Sequence, residues 1–220
     1  MKNVIFIFLV MGLGITLSRF IFIDSYFQIE NIEVEGEEKL SDEVILDWAK
    51  IPLGKSIFRL NLKAIEKKLE SQPKIEKVII KRLLPSRILI QIKERKPFVY
   101  LLYKEMLFEV DKEGVVIGKV EELQDLPVIS GVSSLSDKER IKKGIEVVKF
   151  AQNRGVSFAE VNVENPEGII GYLPKGIKVY IGEGKHLEYL SYLPFVLTEN
   201  RKIEYVDLRF YRQIVIKQSS

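Results

Sequence analysis

Any chemistry in this chain would have to run through very few side chains. His186 is the only histidine and there is no cysteine, so no thiolate nucleophile, disulfide framework, multi-histidine site or cysteine-based metal site can be built. Gly182-Glu183-Gly184-Lys185-His186 resembles a phosphate loop only superficially: the spacing is wrong, and His186 stands where that loop needs a Ser or Thr hydroxyl. It reads as a loop before a helix. A Ser-His-Asp triad would need this one histidine, and no Gly-x-Ser-x-Gly elbow presents a nucleophile. The pairs Glu37-Glu38 and Glu121-Glu122 fall between elements and read as solvated turn charge, because paired carboxylates need a cleft to do acid–base work. The chain is therefore read as non-enzymatic, with no catalytic residue, metal or cofactor. Lys81, Arg82, Arg87, Lys93, Arg95 and Lys96 concentrate on one predicted hairpin. They form either a solvated strand face that discourages edge pairing or a basic surface for anionic headgroups or an acidic partner. The net charge of +3 is too small to argue for nucleic acid.

What positions these residues begins with Val4–Ile23, VIFIFLVMGLGITLSRFIFI. A helix of about 20 apolar residues crosses a hydrocarbon core about 30 Å thick. Arg19, the one charge, is close enough to the far end to snorkel. The run is longer than the apolar core of a secretory signal and no small-residue cleavage site follows, so it reads as an uncleaved anchor, with a cleaved signal as the alternative. Lys2 precedes it and Asp24 follows it, which predicts residues 1–3 as a cytoplasmic stub and the bulk of the chain outside.

After the anchor, Ile32 and Val34 alternate with glutamates in a strand from Phe27 to Gly36. Ser41 is the expected N-cap of a helix with Asp42 and Glu43 in its first turn, a Leu40–Ile45 staple, and a stripe of Val44, Ile45, Trp48 and Ala49. Asn61 caps a second helix, stapled by Leu60 and Ile65, lined by Leu62, Ile65 and Leu69, and stopped at Pro73. Two strands follow, Lys77–Lys81 and a stretch in which Ile88, Ile90 and Ile92 share one face, joined through Leu84-Pro85-Ser86. Strand, helix, helix, strand, strand makes a two-layer unit over residues 27–96.

That order, with Phe27-x-Ile29-x-x-Ile32-x-Val34-x-Gly36 and Pro85-x-x-Ile88-x-Ile90-x-Ile92-x-Glu94-Arg95-x-Pro97, resembles a POTRA domain. A single POTRA directly behind an anchor is similar to the bacterial cell-division family FtsQ, called DivIB in Gram-positive species.

Arg95-Lys96-Pro97 marks a hinge into a second domain, residues 97–217, followed by a short tail at 218–220. Strands are predicted at Phe98–Tyr103 and Met106–Val110, then a turn at Asp111-Lys112-Glu113-Gly114 with a left-handed glycine and a return at Val115–Gly118. Leu126-Pro127-Val128-Ile129-Ser130-Gly131 is similar to a phrase of the family. Ser136 with Glu139 reads as a capping box opening a helix with Ile141, Ile145, Val148 and Ala151 inward and Gly155 at its stop. Strands at Phe158–Val163, Gly168–Leu173 and Ile177–Ile181 precede a last helix from Lys185 to Asn200, which Pro194 should kink or split. The predicted strand Glu204–Phe210 puts Val206, Leu208 and Phe210 on one face; a bend at Tyr211-Arg212 leads to a closing strand, Gln213–Lys217. Tyr205-Val206-Asp207-Leu208-Arg209-Phe210 matches the most specific phrase of the family, so the resemblance runs from anchor to tail. The expected fold class is α+β: a transmembrane helix, the β-α-α-β-β POTRA domain, and a mixed β-sheet domain with two helices.

The resemblance implies a scaffold in the inner membrane at the division septum, with its C-terminal domains periplasmic. It would bind FtsB, itself joined to FtsL, help recruit septal peptidoglycan synthesis, and meet other division proteins through its POTRA domain. Carried over residue by residue, Arg209 is a charge partner for an acidic residue and Phe210 an aromatic anchor, unless Phe210 is core. Tyr211, Arg212, Gln213, Ile214, Val215 and Ile216 supply the strand edge that pairs. A POTRA-type chaperone of outer-membrane insertion or secretion would instead show repeated POTRA units or a following barrel.

Overall fold

The computed structural model describes residues 11, 26–164, 168–182, 184–198, 202–210 and 212–218. Among the described residues no helix is long and apolar enough to cross a membrane; the predicted anchor Val4–Ile23, Met11 apart, lies outside them. The chain divides between Arg95 and Lys96 into two compact units.

The first unit is built on three strands, β1 (Asn31–Glu35), β2 (Ile75–Leu83) and β3 (Arg87–Glu94), in the order β1-β3-β2. β1 runs parallel to β3, with Ile32 opposite Ile88 and Val34 opposite Ile90, while β2 and β3 form the antiparallel hairpin. Helices α1 (Asp42–Ala49) and α2 (Leu62–Glu70) both lie in the single connection from β1 to β2. Ile45, Ala49 and Leu69 from the helices close a core with Val78, Ile80, Ile88, Ile90 and Ile92. The alternation of β3 is therefore what the sheet buries. Gly36 ends β1 at φ +91°, and a Cβ there would overlap the Ile92 carbonyl oxygen, so only glycine fits.

Three local expectations need correction. The predicted strand from Phe27 begins only at Asn31, because residues 27–29 pair instead with the loop before α2: Ile57 N–H donates to Phe27 O at 2.8 Å and Ile29 N–H to Lys55 O at 3.0 Å. Ser41 occupies the N-cap with extended backbone, but its side chain makes no capping bond. Val44 is exposed and Leu46 packs on the core in its place. Asn61 does cap α2, accepting from Ala64 N–H at 3.1 Å.

The second unit carries a nine-stranded mixed sheet. Its strands are β4 (Val99–Tyr103), β5 (Met106–Val110), β6 (Val116–Lys119), β7 (Val128–Ser130), β8 (Glu160–Asn162), β9 (Ile169–Tyr172), β10 (Lys178–Ile181), β11 (Ile203–Asp207) and β12 (Val215–Gln218). In space they lie β12-β11-β10-β9-β8-β7-β4-β5-β6. Helix α3 (Lys138–Gln152) packs on β7 and β8, burying Ile141, Ile145, Val148 and Ala151 as its stripe predicts. The predicted turn between β5 and β6 forms around Asp111, whose Oδ1 accepts from Glu113 and Val115 N–H, with Gly114 at φ +87°.

The capping box is displaced by one residue: Asp137, not Ser136, is the N-cap and accepts from Arg140 N–H at 3.3 Å. The last helix divides, as Pro194 requires, into a 3-10 segment (Gly184–Tyr192) and α4 (Leu193–Thr198). Leu187, Leu190 and Leu193 are buried. In the first turn of α4 a proline costs no hydrogen bond, since the amide it lacks would have no helical partner.

Candidate functional site

The residues singled out at the end of the chain gather at one margin of the nine-stranded sheet. β11 is held parallel to β10, Val179 opposite Val206, and antiparallel to β12, Val206 opposite Ile216. Among the described residues β12 has β11 as its one neighbour in the sheet and is an edge strand. Among the described residues no side chain bonds the backbone of Val215–Gln218, and Val215 is 40% exposed.

β11 stops at Asp207, three residues short of the predicted end. Asp207 is buried and accepts from its near neighbour Arg209 three times: from the backbone N–H at 3.0 Å, from Nε at 2.9 Å and from Nη2 at 2.6 Å. Burial works against its charged form, but the hydrogen bonds and charge of Arg209 outweigh it and hold the carboxyl below its usual range. The chain still tracks β10 for one more residue, Leu208 N–H to Tyr180 O at 2.9 Å, with Leu208 fully buried. Phe210 then leaves the core and is 48% exposed, so it does not share the buried position of Val206 and Leu208.

Arg209 meets its acidic partner within the chain, and its guanidinium lies 4.7 Å from the centre of the Tyr180 ring. Tyr180 contacts Tyr205 edge-on at 5.6 Å; Lys217 lies 5.8 Å over Tyr205 and pairs with Glu204 at 3.0 Å. One face of β10, β11 and β12 is thus a ladder of aromatic and charged side chains. Arg212 takes a left-handed φ of 57° at the bend, and its N–H donates to the Tyr189 hydroxyl at 3.2 Å. Gln213 N–H returns to Phe210 O at 3.3 Å, and Ile214 packs against the core before β12 begins. Tyr211 lies outside the described residues. Sequence reasoning missed Tyr189; its signal was the tyrosine pair Tyr189 and Tyr192, three apart and off the leucine stripe, whose rings stand 6.4 Å apart.

The free edge of β12 contrasts with β2, an edge strand of the first unit. There Glu66 accepts from Ile80 N–H at 2.8 Å and Glu70 from Val78 N–H at 3.4 Å, so α2 blunts the edge with carboxylates.

Arg82 donates to the carbonyls of Ile57 at 2.8 Å and Leu60 at 2.7 Å, Arg95 to those of Pro73 and Ile75, Arg87 pairs with Glu33 and Lys93 with Glu76. Each of these four cations therefore has a partner within the first unit, while Arg87 and Lys93 remain about half exposed. Glu94, which the sequence marked only as part of the POTRA phrase, is buried and accepts on Oε1 from the N–H groups of Glu38, Lys39 and Leu40 at 2.7, 2.9 and 2.8 Å. Burial opposes its charge, yet these donors keep its carboxyl below the ordinary value. Among the described residues no group of three acidic or histidine side chains could hold a metal ion.

Residues 27–95 match the family model of the FtsQ-type POTRA domain, and residues 102–209 that of the C-terminal domain of the cell division protein FtsQ/DivIB. The chain is 35% identical over 199 residues to the cell division protein DivIB of Clostridium botulinum strain Hall, covering 84% of this chain and 76% of that protein. It is 26% identical over 227 residues to the cell division protein FtsQ of Syntrophotalea carbinolica, covering 95% and 80%. Among solved structures it resembles the major extracytoplasmic domain of the trans isomer of DivIB from Geobacillus stearothermophilus, at 18% identity and a TM-score of 0.34, over 47% of this chain and 92% of that one.

Proposed function

This chain belongs to the FtsQ/DivIB family of cell division proteins, and we propose that it acts there as a non-catalytic scaffold whose C-terminal sheet edge takes a strand from FtsB. FtsL comes with FtsB, and together they help recruit septal peptidoglycan synthesis. The observation that carries this reading is the position of β12: it has a single neighbour in the sheet and ends a chain segment that includes the exposed Phe210. An added strand would satisfy backbone donors and acceptors along Val215–Gln218, with Phe210 as an apolar anchor beside it. Arg209 acts in this scheme by fixing the end of β11, through Asp207, so that the bend into β12 is held in one place.

Val4–Ile23 anchors the scaffold in the inner membrane with its N-terminus in the cytoplasm and both folded units outside, at the septum. Tethering raises the effective concentration of the edge near other anchored partners, so a modest interface suffices and remains reversible. The POTRA unit is left to meet further division proteins.

The test is co-purification of FtsB and FtsL with the full-length chain from membranes. Ile214→Pro and Phe210→Ala should each lower recovery of FtsB by about tenfold or more, the range of a lost interface anchor, with unchanged thermal melting of the first unit. Wild-type recovery with both substitutions would place the contact elsewhere.

A further inference from the structure

The residues that follow the predicted anchor are paired with a loop whose apolar side chains are left on the surface. Gln28 bridges Ser56, Ile57 N–H donates to Phe27 O, and Gly54 N–H donates to Ile29 O at 2.8 Å, so the loop between α1 and α2 lies directly beside residues 27–29. On it Leu53 is 62% exposed and Phe58 57% exposed. Phe58 stacks edge-on against Phe27 at 5.1 Å, and Phe27 against Tyr26 at 5.2 Å, with Tyr26 itself 66% exposed. The β2–β3 turn comes to the same end of the unit, Glu30 N–H donating to Ser86 O at 2.8 Å, and carries exposed Leu84.

We infer that this end of the first unit, Leu53, Phe58 and Leu84 with the Tyr26–Phe27 pair, rests on the outer face of the membrane that holds Val4–Ile23. The inference rests on the anchor reading. Only two residues, Asp24 and Ser25, separate Ile23 from Tyr26, and the three chain steps this makes span at most about 11 Å when extended, so Tyr26 stays within reach of the headgroup layer. Aromatic rings with a polar tip or edge favour that layer. The exposed Lys55 between Leu53 and Phe58 gives the loop a cation to meet anionic headgroups. A lipid surface accounts for why these large apolar side chains at one end of the unit stay outside a core that buries Ile29 and Ile57 beside them.

The natural chain has no cysteine, so single-cysteine variants can be labelled without a background. Full-length Leu53→Cys, Phe58→Cys and Leu13→Cys would carry a fluorophore in vesicles of phosphatidylethanolamine and phosphatidylglycerol doped with nitroxide lipids. Lys77→Cys is the control, six residues along β2 from the turn end, about 20 Å away at strand rise. The labels at 53 and 58 should be quenched by a headgroup-level nitroxide at least about twofold more than the label at 77, as interfacial burial requires. Equal quenching at 53, 58 and 77, with the Leu13 label quenched by a nitroxide deep in the acyl chains, overturns the surface contact and leaves the anchor standing. A Leu13 label that the deep nitroxide does not reach brings down both.

Discussion

Asp207 receives the guanidinium of Arg209 on both carboxylate oxygens, Nη2 at 2.6 Å and Nε at 2.9 Å, across a separation of two residues. The pair ends β11 and directs the chain into the bend that precedes β12. Such a fork depends on the planar guanidinium, and a lysine ammonium supplies only a point charge.

Replacing Arg209 therefore acts on the fold before it acts on any partner. Arg209→Ala leaves a buried carboxylate with its main donors gone and should cost about 2 kcal/mol of stability at neutral pH. Arg209→Lys should cost roughly half of that. Urea unfolding followed through the second unit measures both; equal and negligible losses would mean that Asp207 finds other donors.

Acid should strip a defined contribution from the first unit. Glu94 has its carboxyl held below the ordinary value of 4.5 in the folded chain: burial raises it, and the N–H groups of Leu40, Glu38 and Lys39 with the Lys39 charge lower it further than burial raises it. A depressed folded value means the contribution is fully present above pH 4.5 and is lost as pH falls through the folded value. Wild type should exceed Glu94→Gln by about 1–2 kcal/mol at neutral pH, the scale of charge-assisted hydrogen bonds. The gap should narrow only below the ordinary carboxylate value. A gap that stays constant into strong acid would show that the Glu94 charge does not hold this turn.

The basic hairpin should separate by partner. Arg82 bonds two backbone carbonyls, so Arg82→Met should destabilise the first unit by about 1–2 kcal/mol. Arg87 and Lys93 make exposed ion pairs with Glu33 and Glu76, and their removal should change stability by less than about 0.5 kcal/mol. Thermal melting of the three single variants decides it, and the reverse ranking would refute the assignment.

The sealed edge of β2 predicts an assembly phenotype. Removing both carboxylates with Glu66→Ala and Glu70→Ala uncovers the Val78 and Ile80 N–H groups. Stability should fall by about 1–2 kcal/mol and the chain should self-associate through the uncovered strand. Light scattering in detergent reads the mass; an unchanged mass and melting curve would leave the carboxylates without a sealing role.

Sequence by itself determined whatever repeats over a few residues. The alternation of Ile88, Ile90 and Ile92, the stripe of Ile141, Ile145, Val148 and Ala151, the Asn61 cap and the turn at Asp111–Gly114 all appear as read, because each is set by neighbours within one strand or one helical turn. The phrases at 27–36 and 85–97 carried the family resemblance, and the phrase from Tyr205 to Phe210 extended it to the end of the chain. Tertiary structure decided what depends on distant partners. β7 is only Val128–Ser130, too short for a periodic signal, yet it lies between β4 and β8 with parallel neighbours on both sides. Residues 27–29 leave β1 for a loop nearly 30 positions on, Arg82 reaches carbonyls more than 20 positions back, and Phe210 turns outward once Asp207 and Arg209 close the strand. Which strand ends a sheet is likewise a property of the whole assembly of strands. Backbone pairing satisfies the same groups whichever segment supplies them, so local sequence cannot say where the pairing stops.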